Sequence, residues 1–343
     1  MLAAVLKEFN RLVLEDVPVP QPGSDEVVVR VKACGICQTD YKAVTGKRRN
    51  VKFPAILGHE PAGVVAAVGR QVTQFKEGEE VIVAPSGFCG WCRFCRSGQH
   101  HYCPSAFTTG GDGPTDVWPG AFAEYVKTRA SSVYLKPPGV GWESAALTEP
   151  LAGAWKGLIQ YSRMTIGEDV VVIGVGSIGL LVVMLAAAAG AGTVIAIDVS
   201  EHALRSAANL GATHTINAAQ HDPQKAVYEI LPEGPDLVLE AAGPPEAVRL
   251  MFELRRRGTR INLFGITTHE TVTFDGGRTH FLETRMDASF GVTPLAMTQS
   301  IRLQSQGLVD PGKIVSHRFA LKDIHAALEQ MARPDRNKIM ILP

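Results

Sequence analysis

Four cysteines fall within fifteen residues: Cys89, Cys92, Cys95 and Cys103, spaced C-x2-C-x2-C-x7-C in a loop rich in Gly, Pro and Ser. Four thiolates at this spacing close a tetrahedral zinc site and leave no coordination position open, so the implied metal is structural. Four buried or disulfide-paired cysteines would be the plainer reading. This loop has little apolar content to bury them, and such a cluster in a reducing compartment reads as metal. Two further places carry chemistry. Gly58-His59-Glu60 sets an imidazole beside a carboxylate, and Cys37 lies near a short helical stretch. Cys34 precedes Cys37 with C-x-x-C spacing. A redox pair of that kind opens a helix in a βαβ unit, and the strand-rich surroundings here fit a packed, inert Cys34 instead.

A second kind of site is written into Val170 to Ile197, an uninterrupted stretch without charge that is followed at once by Asp198. By hydropathy alone it could be a membrane span. The glycines decide otherwise. Gly174, Gly176 and Gly179 form G-x-G-x-x-G between the β-branched run Val170 to Val175 and the apolar run Leu180 to Ala189. Gly190 and Gly192 then stop the helix before a second β-rich run, Thr193 to Ile197. In this context the first glycine permits a tight turn, the second lets backbone approach a pyrophosphate, and the third packs helix on strand. Ser177 and Ile178 open the helix, whose N-terminus faces the phosphates. Asp198, about twenty residues on, ends the second strand, where its carboxylate can accept both ribose hydroxyls. A carboxylate there repels a 2′-phosphate and no Lys or Arg follows at Val199 or Ser200, so NAD is expected over NADP.

These sites need two kinds of scaffold. The first 33 residues read as β-rich, with Val13 to Val19 and Val27 to Val31 separated by the turn signal Pro20-Gln21-Pro22-Gly23. Ala121 to Leu135 is β-rich again, and Lys338 to Leu342 reads as a short closing strand. Between them, Val227 to Leu239 and Arg260 to Gly265 supply further strand and helix pieces for the sheet that begins at Val170. Glu240 to Gly243 and Phe264-Gly265 end two of those strands, where a doubly wound sheet presents its ligand crevice. A chain of 343 residues should hold about two domains. Its 34 basic and 34 acidic residues balance, which removes the positive field that nucleic-acid binding needs. Charge at Lys7 and Glu8 comes too early for a signal-peptide apolar region, so a cytoplasmic protein with no membrane association is expected.

Taken together, GICQTD (Gly35 to Asp40), GHE (Gly58 to Glu60), the four-cysteine lobe, TEPL (Thr148 to Leu151) and GVGSIG (Gly174 to Gly179) with Asp198 resemble the zinc-dependent medium-chain alcohol dehydrogenases. The nearest branch is that of the sorbitol (polyol) and threonine dehydrogenases, and the motifs span nearly the whole chain in the family's order. The resemblance implies an α/β chain with a GroES-like β-rich catalytic domain at residues 1–152, carrying a structural zinc lobe at 86–104. It implies a Rossmann domain with a doubly wound parallel sheet at 153–292, and a return to the catalytic domain at 293–343. It places Cys37 and His59 on a catalytic zinc in the cleft, with Glu60 as a direct or exchanging ligand and Glu149 where the alcohol branch has cysteine. Asp40 would hold the His59 ring, and the Thr39 hydroxyl would pass on the alcohol's proton.

One thiolate, one imidazole and one carboxylate suit this chemistry, because they leave zinc about neutral with one position open for an alcohol. The implied enzyme moves a hydride from a secondary alcohol (a polyol, sugar alcohol or cyclitol) to NAD, uses two Zn2+ per chain, and works as a homodimer or homotetramer. Threonine or a phosphorylated polyol are the alternative substrates. A metal-free quinone or enoyl reductase would lack this ligand set, and a non-catalytic nucleotide-binding protein would not need it. Two positions depart from the pattern. Lys42 stands where many relatives have the histidine that ends the proton relay, so Lys42 or water serves there. Ala203, with Arg205 nearby, stands where the polyol branch often has a basic residue. Lys47-Arg48-Arg49 reads as a solvated loop first and an anion site second. Arg255 to Arg257 reads as a solvated helix end and Trp118 as packing.

Overall fold

The strand Glu26–Ile36 is the spine of the first sheet. Its valines Val27, Val28, Val29 and Val31 are all buried, as β-branched side chains on a covered sheet should be. Antiparallel to it on one side runs Glu60–Val68, followed by Glu80–Val83 and Val133–Leu135, while Tyr125–Arg129 pairs with its first half. On the other side lies Lys338–Leu342, with Val315–Ala320 parallel beyond it. The chain thus leaves this sheet and returns to it with its last strand.

The computed structural model describes residues 1–110, 116–266 and 271–343. They divide into two units, Met1–Glu149 with Val292–Pro343, and Pro150–Gly291. The joins stand at 149/150 and 291/292, where the sequence reading has 152/153 and 292/293. In the first unit, side chains just ahead of the first join reach the returning segment. Glu143 pairs with Arg318, Ser144 Oγ donates to Asp310 Oδ1, and Gln304 Nε2 donates to Thr148 Oγ1 (2.8 Å).

The second unit is a six-stranded parallel sheet in the order His214–Asn217, Val194–Asp198, Val170–Ile173, Leu237–Glu240, Arg260–Leu263, Arg285–Ala288. Winding reverses between Val170–Ile173 and Leu237–Glu240, which opens a ligand crevice at the carboxyl ends of those two strands. The helix Ser177–Ala188 is buried from Gly179 to Ala186, so its uniform hydropathy is that of a helix packed on a sheet. At twelve residues it is about 18 Å long, well short of a ~30 Å bilayer core. Among the described residues no helix is long and apolar enough to cross a membrane.

One side chain departs from the sequence reading, and one buried cation is not marked in the sequence. Arg255 is buried rather than solvated: its guanidinium donates to Thr279 Oγ1 (2.8 Å) and Thr284 Oγ1 (3.2 Å), partners that lie on a later segment. Lys156, buried at the start of the π-helical turn Lys156–Tyr161, points its ammonium at the carbonyls of Phe290 and Gly291.

Candidate active site and metal centres

The strand Glu26–Ile36 delivers Cys37 at its end, as the N-cap of the short helix Gln38–Val44. Asp40, three residues on, turns back so that its Oδ2 accepts from Cys37 N (2.9 Å). Its other oxygen, Oδ1, accepts from Gly58 N (3.2 Å) and lies 3.3 Å from His59 Nδ1. One buried carboxylate therefore ties the Cys37 turn to the Gly58-His59-Glu60 segment and holds the imidazole from behind. Donor atoms of Cys37, His59 and Glu60 come together within 4.8 Å of one another.

Glu60 is fixed from a direction the sequence does not announce. Its carboxylate is buried against Lys338, with Oε1 at 2.7 Å and Oε2 at 2.6 Å from Nζ. Glu60 lies opposite Gly35 and Gly35 lies opposite Met340, so the pair reaches across the central strand at the one residue without a side chain. A Cβ on Gly35 would stand 2.0 Å from Glu60 Oε2 and 2.8 Å from Lys338 Cε. This is a concrete requirement for glycine within GICQTD.

Glu149, in the first turn of the helix Thr148–Trp155, stands outside the three-donor cluster. Desolvation pushes its carboxyl up to about 7, assisted by the negative charge of Glu60 and opposed by His59 and Lys338. Burial disfavours charge on His59, yet Asp40 and the Cys37 sulfur hold its pKa well above the ordinary value. Lys338 is raised as well, against burial, by Glu60 and Cys37. Both shifts report the same field: this cluster draws in positive charge. A thiolate, an imidazole and a carboxylate gathered in such a field fit a zinc ion and leave its fourth position for substrate.

Thr39 lines a cavity together with Asp40, Ala43, Val51, Leu57 and Arg48. Among the described residues lining that cavity Lys42 is not found, and Arg48 is the only cation. Lys47 and Arg49 are exposed, so the basic run is not uniformly solvated: the loop folds back, with Arg48 N donating to Lys42 O (3.0 Å), and turns its middle residue inward. Trp118 stacks on Phe107, in the packing role expected of it (ring centroids 4.6 Å apart). Cys34 is fully buried in the core of the first unit.

In the lobe, the sulfurs of Cys89, Cys92, Cys95 and Cys103 all lie within 4.8 Å of one another. Cys89 Sγ to Cys95 Sγ is 3.9 Å and Cys92 Sγ to Cys95 Sγ is 3.5 Å. A disulfide would need about 2.05 Å. A tetrahedron with Zn–S of about 2.3 Å has edges of about 3.8 Å, which these separations match. Backbone N–H groups point at the sulfurs, Cys92 N at Cys89 and Cys95 N at Cys92, and would hold thiolates in place.

In the second unit Gly174 has φ of +82°, and a Cβ there would collide with Ala242 at 2.5 Å. A Cβ on Gly179 would stand 1.9 Å from Gly174 O, while Gly176 faces open space. Turn, close packing and phosphate approach are thus divided among the three glycines as the motif requires. Asp198 Oδ2 accepts from Val175 N (2.8 Å) and Oδ1 from Ser200 N (2.9 Å), which fixes the carboxylate beside the glycine turn. Arg205 is exposed on the next helix. Glu240 Oε1 accepts from Ala242 N and Gly243 N (2.7 and 2.6 Å) and so shapes the other lip of the crevice. Phe264 and Gly265 N–H groups donate to Glu240 O, but the Phe264 ring packs near Gly153 and Gly157, so that position offers backbone and not its ring.

One unit built on a parallel sheet with a nucleotide-binding glycine turn, and another that is β-rich and carries two zinc-type donor clusters, together define a zinc-dependent dehydrogenase. Residues 23–138 match the alcohol dehydrogenase GroES-like domain and residues 177–306 match the zinc-binding dehydrogenase domain. The chain belongs to the zinc-dependent medium-chain alcohol dehydrogenase family. It is 32% identical to a sorbitol dehydrogenase of Bacillus subtilis, over 100% of this chain and 97% of that protein. It is 36% identical to an L-threonine 3-dehydrogenase of Bacillus licheniformis, over 96% of this chain and 94% of that one. Among solved structures, an alcohol dehydrogenase from Thermus sp. ATN1 superposes with a TM-score of 0.93 at 30% identity, covering 100% of this chain and 99% of that chain.

Proposed function

We propose that the protein is an NAD-dependent, zinc-containing dehydrogenase that removes a hydride from a secondary alcohol of the polyol, sugar-alcohol or cyclitol class. The observation that carries this reading is the gathering of Cys37, His59 and Glu60 donors within 4.8 Å, backed by Asp40. Zinc held there supplies Lewis acidity to the substrate oxygen. Asp40 keeps the His59 ring aimed by facing its Nδ1. Lys338 holds the Glu60 carboxylate in its buried position, and Glu149 stands ready as an alternative carboxylate beside it. The Thr39 hydroxyl, two residues past Cys37 and facing the cavity, receives the alcohol proton at Oγ1 and hands it outward to water. On the second unit Gly176 admits the pyrophosphate, Ser177 and Ile178 begin the helix behind it, and Asp198 accepts the ribose hydroxyls and disfavours a 2′-phosphate. The lobe cysteines Cys89, Cys92, Cys95 and Cys103 hold the second zinc. Threonine and phosphorylated polyols are the alternative substrates, the former favoured by the 36%-identical L-threonine 3-dehydrogenase. A cytoplasmic homodimer or homotetramer completes the reading.

The test is a panel of polyols, cyclitols, sugar alcohols and threonine with NAD, followed by NADH formation and zinc content. Two zincs per chain with turnover that Cys37→Ser abolishes, its fold intact, is the expected result. Normal turnover by Cys37→Ser, or tight nucleotide binding with no oxidation of any secondary alcohol, would overturn it.

A further inference from the structure

We infer that Glu240 is a positioning residue for the nicotinamide end of the cofactor: its carboxyl sets the backbone turns that form that half of the crevice. The inference rests on the reading of Gly174 to Gly179 and Asp198 as an NAD site, and deepens it. Strand order says where each half of a dinucleotide goes. Asp198 ends Val194–Asp198 and takes the adenosine ribose, and the glycine turn follows the neighbouring strand Val170–Ile173. The pyrophosphate lies on that turn, so the nicotinamide half extends over the ends of Leu237–Glu240 and Arg260–Leu263, on the other side. Glu240 is in register with both Ile173 and Leu263, and so stands in the middle of this row of strand ends.

Three observations single out its carboxyl. Oε1 accepts from both Ala242 N (2.7 Å) and Gly243 N (2.6 Å), which curls the turn beyond its strand back over the strand end. The neighbouring turns then close on this one. A Cβ on Gly174 would stand 2.5 Å from Ala242 Cβ, one on Gly265 2.5 Å from both Glu240 Oε2 and Gly243 N, and one on Gly243 3.0 Å from Ile266 O. Three turns thus pack together without room for a side chain, and the Glu240 carboxyl lies among them. Lastly, Glu240 is 0% exposed, and its Oε2 has no hydrogen-bond partner among the described residues. Desolvation raises its pKa above the ordinary carboxylate value, opposed by the N–H groups of Gly243, Ala242 and Gly265. The rest of the strand, Leu237, Val238 and Leu239, is apolar, and an apolar residue at 240 would avoid that desolvation. A buried carboxyl with one oxygen unsatisfied is a poor device for folding, and its use lies in the turns it holds.

The discriminating quantity is the Kd of NADH divided by the Kd of ADP-ribose, which lacks only the nicotinamide, measured by calorimetry on the zinc-loaded full chain. Glu240→Met keeps most of the bulk and removes both acceptors. It should fold, because an apolar side chain of similar volume is commonly tolerated in place of a buried charge. It should raise the ratio about 10-fold or more, the effect of releasing the held N–H groups. Glu240→Gln keeps an acceptor for Ala242 N and Gly243 N, and should return the ratio to within about threefold of wild type. Arg255→Met removes a buried cation ahead of the strand Arg260–Leu263 and serves as the structural control: melting should fall while the ratio stays at the wild-type value. Four results would overturn the inference and leave the NAD reading standing. They are an unchanged ratio in folded Glu240→Met, failure of that variant to fold, a Glu240→Gln ratio as high as that of Glu240→Met, and an equal rise in Arg255→Met. Wild-type protein that binds neither NADH nor ADP-ribose would overturn the NAD reading itself.

Discussion

Replacing Lys338 by methionine tests the device that holds Glu60. The ammonium and the carboxylate are both nearly inaccessible, 3% and 2% exposed, and lie 2.6 Å apart. Methionine fills most of the lysine's volume but leaves Glu60 as a buried charge without its partner. Breaking a buried pair in this way costs about 3–5 kcal/mol. For a unit of roughly two hundred residues each kcal/mol corresponds to about 2–4 °C, so melting of the zinc-free first unit should fall by roughly 6–20 °C. Zinc should restore part of the loss, because a cation beside Glu60 supplies the charge that Lys338 no longer does. The assay is calorimetric melting of wild type and variant with and without a chelator. Gly35→Ala should act on the same pair, since its methyl would stand 2.0 Å from Glu60 Oε2. Its cost should be smaller in the Lys338→Met background, where Nζ no longer holds Glu60 and the carboxylate can move. A zinc-free melting point for Lys338→Met within about 2 °C of wild type would refute the reasoning.

Cys92→Ser should lower zinc content from two ions per chain to one and destabilise the first unit by about 4 kcal/mol or more, read by metal analysis and melting. Asp198→Ala should reduce the preference for NAD over NADP, measured as the ratio of their kcat/KM values; an unchanged ratio would remove Asp198 from cofactor choice. Glu168, paired with Arg260 at 2.6 Å, is desolvated, yet that partner draws its pKa below 4.5. Its contribution is present above the unfolded pKa and is lost as pH falls through the folded one, so the stability gap between wild type and Glu168→Gln should be constant at neutral pH and shrink below about pH 4.5. Burial draws the Lys156 ammonium down from 10.5 to about 8, so the folded state binds this proton less readily than the unfolded chain. Wild-type stability should therefore rise between pH 8 and 10.5 relative to Lys156→Met; parallel pH profiles would contradict the burial of that charge.

Much of the site was legible in the chain because its chemistry is local. The lobe cysteines sit within one loop, the glycine turn and Asp198 within one βαβ unit, and Asp40 three residues from the Cys37 it caps. Spacing alone constrains such groups, since backbone geometry over a few residues leaves little freedom. Tertiary structure decided whatever depends on contacts between distant segments. Lys338 meets Glu60 across 278 positions because the last strand docks beside Glu26–Ile36, and no local pattern marks that lysine. The basic run Lys47-Arg48-Arg49 is three similar letters until the loop turns one of them into the Thr39 cavity. Arg255 likewise looked solvated and is buried, because the hydroxyls that satisfy it belong to Thr279 and Thr284. A buried charge is stable only with its partners in place, and those partners come from segments that only the fold brings together.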